Sequence, residues 1–485
     1  MGVKSFIGEE AKEGFEIAKR FKRRDFSGNS GKVMKNSFWQ IATTLTAKIG
    51  SLLFTIVLIN EWVGKNIFGF NSSLMGPEIY GLYGLALSTI LIFSMFNDLG
   101  IGGGMNVFVA RLIDKRPGKA KGYFYYLIRY KICLIIITSL LIAFCADFLA
   151  NGYYNKPIYY ALLAGAIYLP IQVLSGFIGP LFNLRNDFKP QFVKEIITQV
   201  SRLTLLPLAI IYLLKTLPKD EYLFWVFIIL AFCNLLAFVY IWGLAKLRHP
   251  FGKSKPIKLL KKEKSEAWKF ILPLSVTGLS GIFFGYIDQI MLGHYVSGAF
   301  LGFYQVAFNL IASAGVLIGF GSAAVFPILA RLKGKKLEKG FKKARVTTLM
   351  ISLAAFIFTV VVAKYVILFV SGQAFLTAYY YIVPFSLLLI SFPMIALYQT
   401  YYMSQERSKL VAILLVGSTV LNVLLNYVLI NLGLTFGGGL EGLTGLGGGD
   451  VMFWGVMGAC VATITSRWVF MEGLVLGRRR RVIKN

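Results

Sequence analysis

Twelve apolar runs, each long enough for a helix of about 20 residues to cross a hydrocarbon core of about 30 Å, divide the chain at 37–60, 79–101, 123–148, 157–182, 190–214, 222–245, 268–293, 300–330, 346–370, 376–402, 410–432 and 452–477. In lipid, every backbone N–H and C=O must find its partner inside the protein, so segments of this length are helices. The spacing therefore predicts an all-α polytopic membrane protein. With 56% of its 485 residues hydrophobic, the chain carries more apolar surface than an ordinary soluble fold can hide.

Lysine and arginine are distributed in step with these runs. Taking the N-terminus as inside, the alternate connecting segments and termini that share its side hold 41 of the 51 basic residues, and the opposite side holds only Lys65, Lys156, Lys215 and Lys219. By the positive-inside bias, both termini are expected in the cytoplasm. A net charge of +29 suggests nucleic acid at first sight, but the charge alternates between segments instead of forming one face; no nucleic-acid partner is expected. Near the N-terminus Val3, Phe6, Ile7, Ala11, Ala18 and Phe21 recur at roughly helical spacing among basic residues, which reads as an amphipathic helix on the inner leaflet or as a solvated basic tail. Cys133, Cys145, Cys233 and Cys460 sit apart in apolar runs and read as core filler; His249 and His294 have no second ligand at metal spacing. Neither a metal nor a cofactor is expected.

The second constraint is internal repetition. Tyr80–Leu112 returns in degenerate form as Leu301–Leu332: Gly81-Leu82-Tyr83 matches Gly302-Phe303-Tyr304, and Ala110-Arg111-Leu112 matches Ala330-Arg331-Leu332. Phe182–Lys189 and Tyr402–Lys409 stand 220 positions apart, each closing an apolar run that contains a proline. An even number of spans per copy puts both copies the same way up. The expected organisation is a basic amphipathic segment (1–36), a first six-helix lobe (37–246), a basic linker (247–267), a second six-helix lobe (268–477) and a basic tail (478–485), the lobes related by a pseudo-two-fold axis along the membrane normal. The glycine-rich connection from Gly433 to Asp450 reads as a flexible connector.

The repeated stretch, together with Ile287–Phe308 (IDQIMLGHYVSGAFLGFYQVAF) and Trp454–Phe470 (WGVMGACVATITSRWVF), resembles the polysaccharide flippase family, which belongs to the superfamily that includes the MATE multidrug extruders. The similarity spans nearly the whole chain and rests on glycine and apolar positions. It implies two lobes around a central cavity, in a monomer of the plasma membrane. It also implies a lipid-diphosphate-linked oligosaccharide as the substrate, carried from the cytoplasmic to the outer leaflet, with glycan-assembly enzymes as possible neighbours.

Ionisable side chains within the spans carry the chemistry, because each costs about 2.5–3.5 kcal/mol to place at mid-bilayer. Lys48 and Arg202 lie about 16 Å from the inner ends of spans 1 and 5 at about 1.5 Å per residue, and Arg467 in span 12 is at a comparable depth. Cations at one level suit a diphosphate or an acidic sugar; alternatively each snorkels or pairs inside its own lobe, as Glu195 offers for Arg202. Asp288 in span 7 and Lys364 in span 9 are placed to form a structural ion pair, the alternative making Asp288 a protonation or sodium site. Asp98 and Glu472 are expected to meet inner-loop lysines. Asn422 and Asn426 share a face of span 11 and either hold helices together or bind sugar hydroxyls. The leading function is therefore a flippase for a lipid-linked, anionic oligosaccharide. An ion-coupled multidrug extruder is the alternative; Lys48 argues against it, since cationic drugs want a carboxylate. A membrane glycosyltransferase or polymerase is disfavoured by short outer loops.

Overall fold

The computed structural model describes residues 28–70, 73–214, 217–331, 334–405, 407–444 and 450–482. The amphipathic stretch from Val3 to Phe21, and Lys215, lie outside them. The described residues contain helices and no strand. Thirteen long or paired helices carry the twelve expected spans: α1 (Gly28–Ile59), α2 (Pro77–Met95), α3 (Pro117–Asp147), α4 (Tyr159–Ile178), α5 (Lys189–Ala209), α6 (Lys219–Arg248), α7 (Lys261–Tyr295), α8 (Gly298–Arg331), α9 (Gly334–Val370), α10 (Ala378–Phe385), α11 (Leu388–Ser404), α12 (Ser408–Thr444) and α13 (Val451–Val482). Ten of them are long and apolar enough to cross a membrane, and α10 and α11, bent by 43° at their junction, together make another. The bend has its cause in Pro384 and Pro393, each of which removes a backbone donor inside its helix. The helix α7 spans 35 residues over the remaining expected run.

Helix packing separates two sets. In the first half α1 packs on α5, α3 on α4, and α6 on both α4 and α5; in the second α12 packs on α13, α8 on α11, α9 on α11, and α7 on α12. The sets meet where α2 lies against α7 and α8. That seam is the repeated stretch packed upon its own copy. A Cβ on Gly81 would run into the backbone of Gly298 and Gly302, and one on Gly302 into the carbonyl of Pro77, so only glycine admits this approach. Beyond it, at the end opposite the basic segments, Asn60 donates to the Phe369 carbonyl at 2.6 Å and the Glu61 carboxylate accepts from the Ala374 N–H at 2.7 Å. Lys156 donates to the Gly293 carbonyl at 2.6 Å there, and His294 stacks on Tyr153 with ring centroids 4.8 Å apart. Burial pushes the Lys156 ammonium below its usual pKa. These contacts join the two halves at this end of the bundle.

Two expectations change, for the glycine-rich connector and for the cysteines. The connector from Gly433 is helical as far as Thr444, and Gly433 and Gly437 lie flush against Trp454 of α13. Those glycines permit close helix contact where flexibility was expected; residues 445–449 lie outside the description. The helix α1 begins at Gly28, inside the expected basic segment, and its apolar span runs over Phe38–Ile59. The cysteines are not uniformly core: Cys233 and Cys460 are buried, but Cys133 is exposed on the bundle surface.

Candidate functional site: a charged cavity in one half and a carboxylate nest in the other

Inside the first half, α2, α3, α4, α5 and α6 surround a cavity of about 530 Å³ that runs from Tyr83 to Lys194. Its wall holds three cations, Lys131, Lys194 and Arg202, and two carboxylates, Asp98 and Glu195. Both carboxylates are engaged. Asp98 accepts from Lys131 Nζ at 2.8 Å and from the Gly102 N–H at 3.1 Å, and Glu195 accepts from Gln199 Nε2 at 2.7 Å. Gln199 in turn accepts from Arg202 Nη2 at 2.7 Å, and the guanidinium stacks on the Phe54 ring at 4.3 Å. The Arg202 Nε–H is buried and has no partner among the described residues, as is the Gln172 Oε1 acceptor in the same wall. Unfilled donor and acceptor capacity beside a surplus cation suits a ligand rich in hydroxyls and carrying negative charge.

The second half is built differently. Asp288 of α7 is 2% exposed, and three other helices reach it. Tyr304 of α8 donates to Oδ2 at 2.9 Å, Thr463 of α13 to the same oxygen at 2.5 Å, and Asn426 of α12 to Oδ1 at 2.5 Å. Asn426 also reaches back to the Asn422 carbonyl, and Asn422 donates to Ser466 Oγ at 3.2 Å. The amide oxygens of Asn422 and Asn426 are buried without donors among the described residues. One turn nearer the basic end, Arg467 lays its guanidinium over the Phe284 ring at 3.4 Å and donates to the Phe284 carbonyl at 2.6 Å.

The expected Asp288–Lys364 pair is absent: Lys364 is exposed on α9, while Asp288 faces the interior and is satisfied by neutral donors. The three mid-span cations do not converge on one shared partner. Arg202 lines the cavity, Arg467 belongs to the second half, and Lys48 is half-buried on α1, two residues before Gly50, which lies against Gln199. Asn422 and Asn426 hold α12 to α7 and α13 and do not line the first-half cavity. Asp98 pairs with Lys131 inside α3, and not with an inner-loop lysine; Glu472 is exposed on α13. Lys131 was missed, although the rule that singled out Lys48 applies to a lysine within an apolar helix. Nothing in the sequence marks Tyr304 and Thr463 as partners of Asp288, because only the tertiary packing brings α8 and α13 to α7.

The sequence matches the model of the polysaccharide biosynthesis protein family over residues 33–333. The chain belongs to that family. A MatE family model matches residues 273–428, so this polysaccharide biosynthesis protein lies in the MATE-like exporter superfamily. No curated protein matches the sequence. Among solved structures, the fold is similar to the lipid II flippase MurJ in an inward closed conformation, with a TM-score of 0.64 at 14% identity over 91% of this chain and 87% of that one. It is similar also to an inward-facing MATE family multidrug resistance transporter, with a TM-score of 0.59 at 16% identity over 90% of this chain and 94% of that one. A MATE transporter in complex with MaL6 gives 0.57 at 16% identity, covering 94% and 97%. These likenesses fix the family member's fold: a multi-span membrane protein built as two six-helix sets.

Proposed function

We propose that this family member is a transporter that flips a lipid-diphosphate-linked, anionic oligosaccharide across the plasma membrane by alternating access, for cell-surface glycan assembly, and that it is not an enzyme. In this reading the two repeats are lobes at 37–246 and 268–477, joined by the basic linker at 247–267. The basic ends and both termini face the cytoplasm, and the working unit is a monomer. The observation that carries it is the cavity around Arg202, where hydroxyl-bonding groups and a surplus cation stand inside a membrane bundle whose halves are joined by contacts at the opposite end. Such a cavity admits a polar, anionic headgroup from the basic side while the lipid tail stays in the bilayer. Lys48 and Arg467 are further cavity contacts under this reading. Titration or monovalent-cation binding at Asp288 is the coupling step, since its carboxylate and the orphaned amide oxygens of Asn422 and Asn426 form a buried oxygen cluster whose direct hydrogen bonds come from neutral donors, with the charge of the buried Arg467 acting on it from one turn away.

The test is reconstitution of the full chain in liposomes with a fluorescent diphosphate-linked oligosaccharide lipid, followed by quenching from outside. Wild type is expected to expose the label, and Arg202→Ala to slow it by at least about tenfold, the loss of one charge-assisted contact of roughly 1.5–3 kcal/mol. Movement of cationic drugs with no movement of any glycolipid would favour the multidrug reading, which the MatE match and the buried carboxylate of Asp288 keep in view.

A further inference from the structure

The linker between the two halves is fastened to the first turn of α3, and the fastening leaves a basic groove. Backbone from Ser254 to Ile257 runs along α3 so closely that Cβ atoms on Gly118 and Gly122 would strike the carbonyls of Lys255 and Ile257. The Ile257 N–H donates to the Gly118 carbonyl at 3.0 Å, and Lys121 Nζ donates to the Ser254 carbonyl at 3.1 Å. The two walls are thus fixed against each other. Between them lies a groove of about 610 Å³ whose lining includes Arg116, Lys119, Ser254 and Lys255. Lys119 is shared with Glu263, whose carboxyl its hydrogen bond, together with the Leu260 N–H, holds below the usual carboxylate range. Arg116 and Lys255 are exposed and form no ion pair among the described residues.

Position identifies the occupant. The apolar run of α3 begins near residue 123, about two helical turns after Arg116, so the groove lies on the headgroup side of that run. Beside it the linker turns Ile257 and Leu260 outward at 55% and 68% exposure, although neither packs in a core. Cations flanked by outward aliphatic side chains match a molecule that is anionic at one end and apolar below. We infer that this groove binds the phosphate of an anionic phospholipid, with Arg116, Lys255 and Ser254 on the headgroup and Ile257 and Leu260 among the acyl chains. A lipid seated there ties the interlobe linker to α3.

Native mass spectrometry of the full chain, released from detergent with equimolar phosphatidylglycerol and phosphatidylcholine, tests this. Wild type should retain phosphatidylglycerol selectively. The double variant Arg116→Gln/Lys255→Gln should lose that selectivity roughly tenfold or more, at about 1 kcal/mol for each basic side chain at the surface. A double variant with the same charge loss outside the groove, Lys258→Gln/Lys261→Gln, should keep it. Retention that is equal for the two lipids, or that falls as far in the second variant as in the first, overturns the inference. Excess inorganic phosphate and the variant Ile257→Ser/Leu260→Ser separate the sources. Loss of selectivity in the serine variant supports a lipid, whereas displacement by phosphate with no effect of the serines makes this a free-phosphate site and overturns the lipid assignment.

Discussion

Arg202 in α5 stands 220 positions before Asn422 in α12, the same offset that relates the two repeats. At equivalent places one half therefore carries a cation beside a cavity and the other an amide held beside a buried carboxylate. The hydrogen-bond donors around Asp288 have a measurable consequence. Three donors, from Tyr304, Asn426 and Thr463, depend on that carboxylate. Asp288→Ala strands all of them in the interior, at about 1–3 kcal/mol for each group left unsatisfied. Asp288→Asn keeps one acceptor oxygen and the side-chain volume. Thermal unfolding in detergent should rank wild type above Asp288→Asn and Asp288→Asn above Asp288→Ala. If Asp288 is the coupling site, Asn fails to support ion-driven transport while remaining folded. A fully active Asn variant would remove Asp288 from any coupling role.

At the scale of elements, the glycines of the repeat matter through α2 and α8 together. An isolated reading of Tyr80–Leu112 finds an apolar helix with glycines. Its copy explains them only when the two helices are seen to cross at Gly81, Gly298 and Gly302. Gly81→Leu should push the halves apart, with a stability loss of about 1–3 kcal/mol typical of overpacking. Gly176→Leu, where an added Cβ meets nothing within 4 Å, should stay near wild type in the same unfolding assay. The sequence set the existence, type and order of these helices, because an apolar run of span length in lipid has one backbone solution. Its error at Gly433–Thr444 has the same root as its success. Glycine content alone does not distinguish a loose connector from a helix pressed against Trp454.

For the whole molecule, the proposed alternating access requires the contacts that join the halves at the end opposite the basic segments to break. The contact between Glu61 and Ala374 crosses from one half to the other. In a variant without its four native cysteines, Glu61→Cys and Ala374→Cys should cross-link under mild oxidation. The link should suppress transport at least about tenfold, with recovery on reduction. Full transport in the cross-linked protein would show that this end does not move.

Length, apolar periodicity and the placement of lysine and arginine determined the membrane class, the twelve spans and the two-fold repetition, since each is a local or additive property of the chain. The residue types able to do chemistry, Arg202 and Asp288 among them, were also visible, because a charge inside an apolar run is costly wherever it points. Which of those charges face a shared cavity, which are absorbed by neutral donors, and that Lys131 rather than an inner-loop lysine meets Asp98, depended on how the helices are rotated and packed. Rotation of a helix about its axis is set by contacts with helices distant in sequence, and only the tertiary structure decided it.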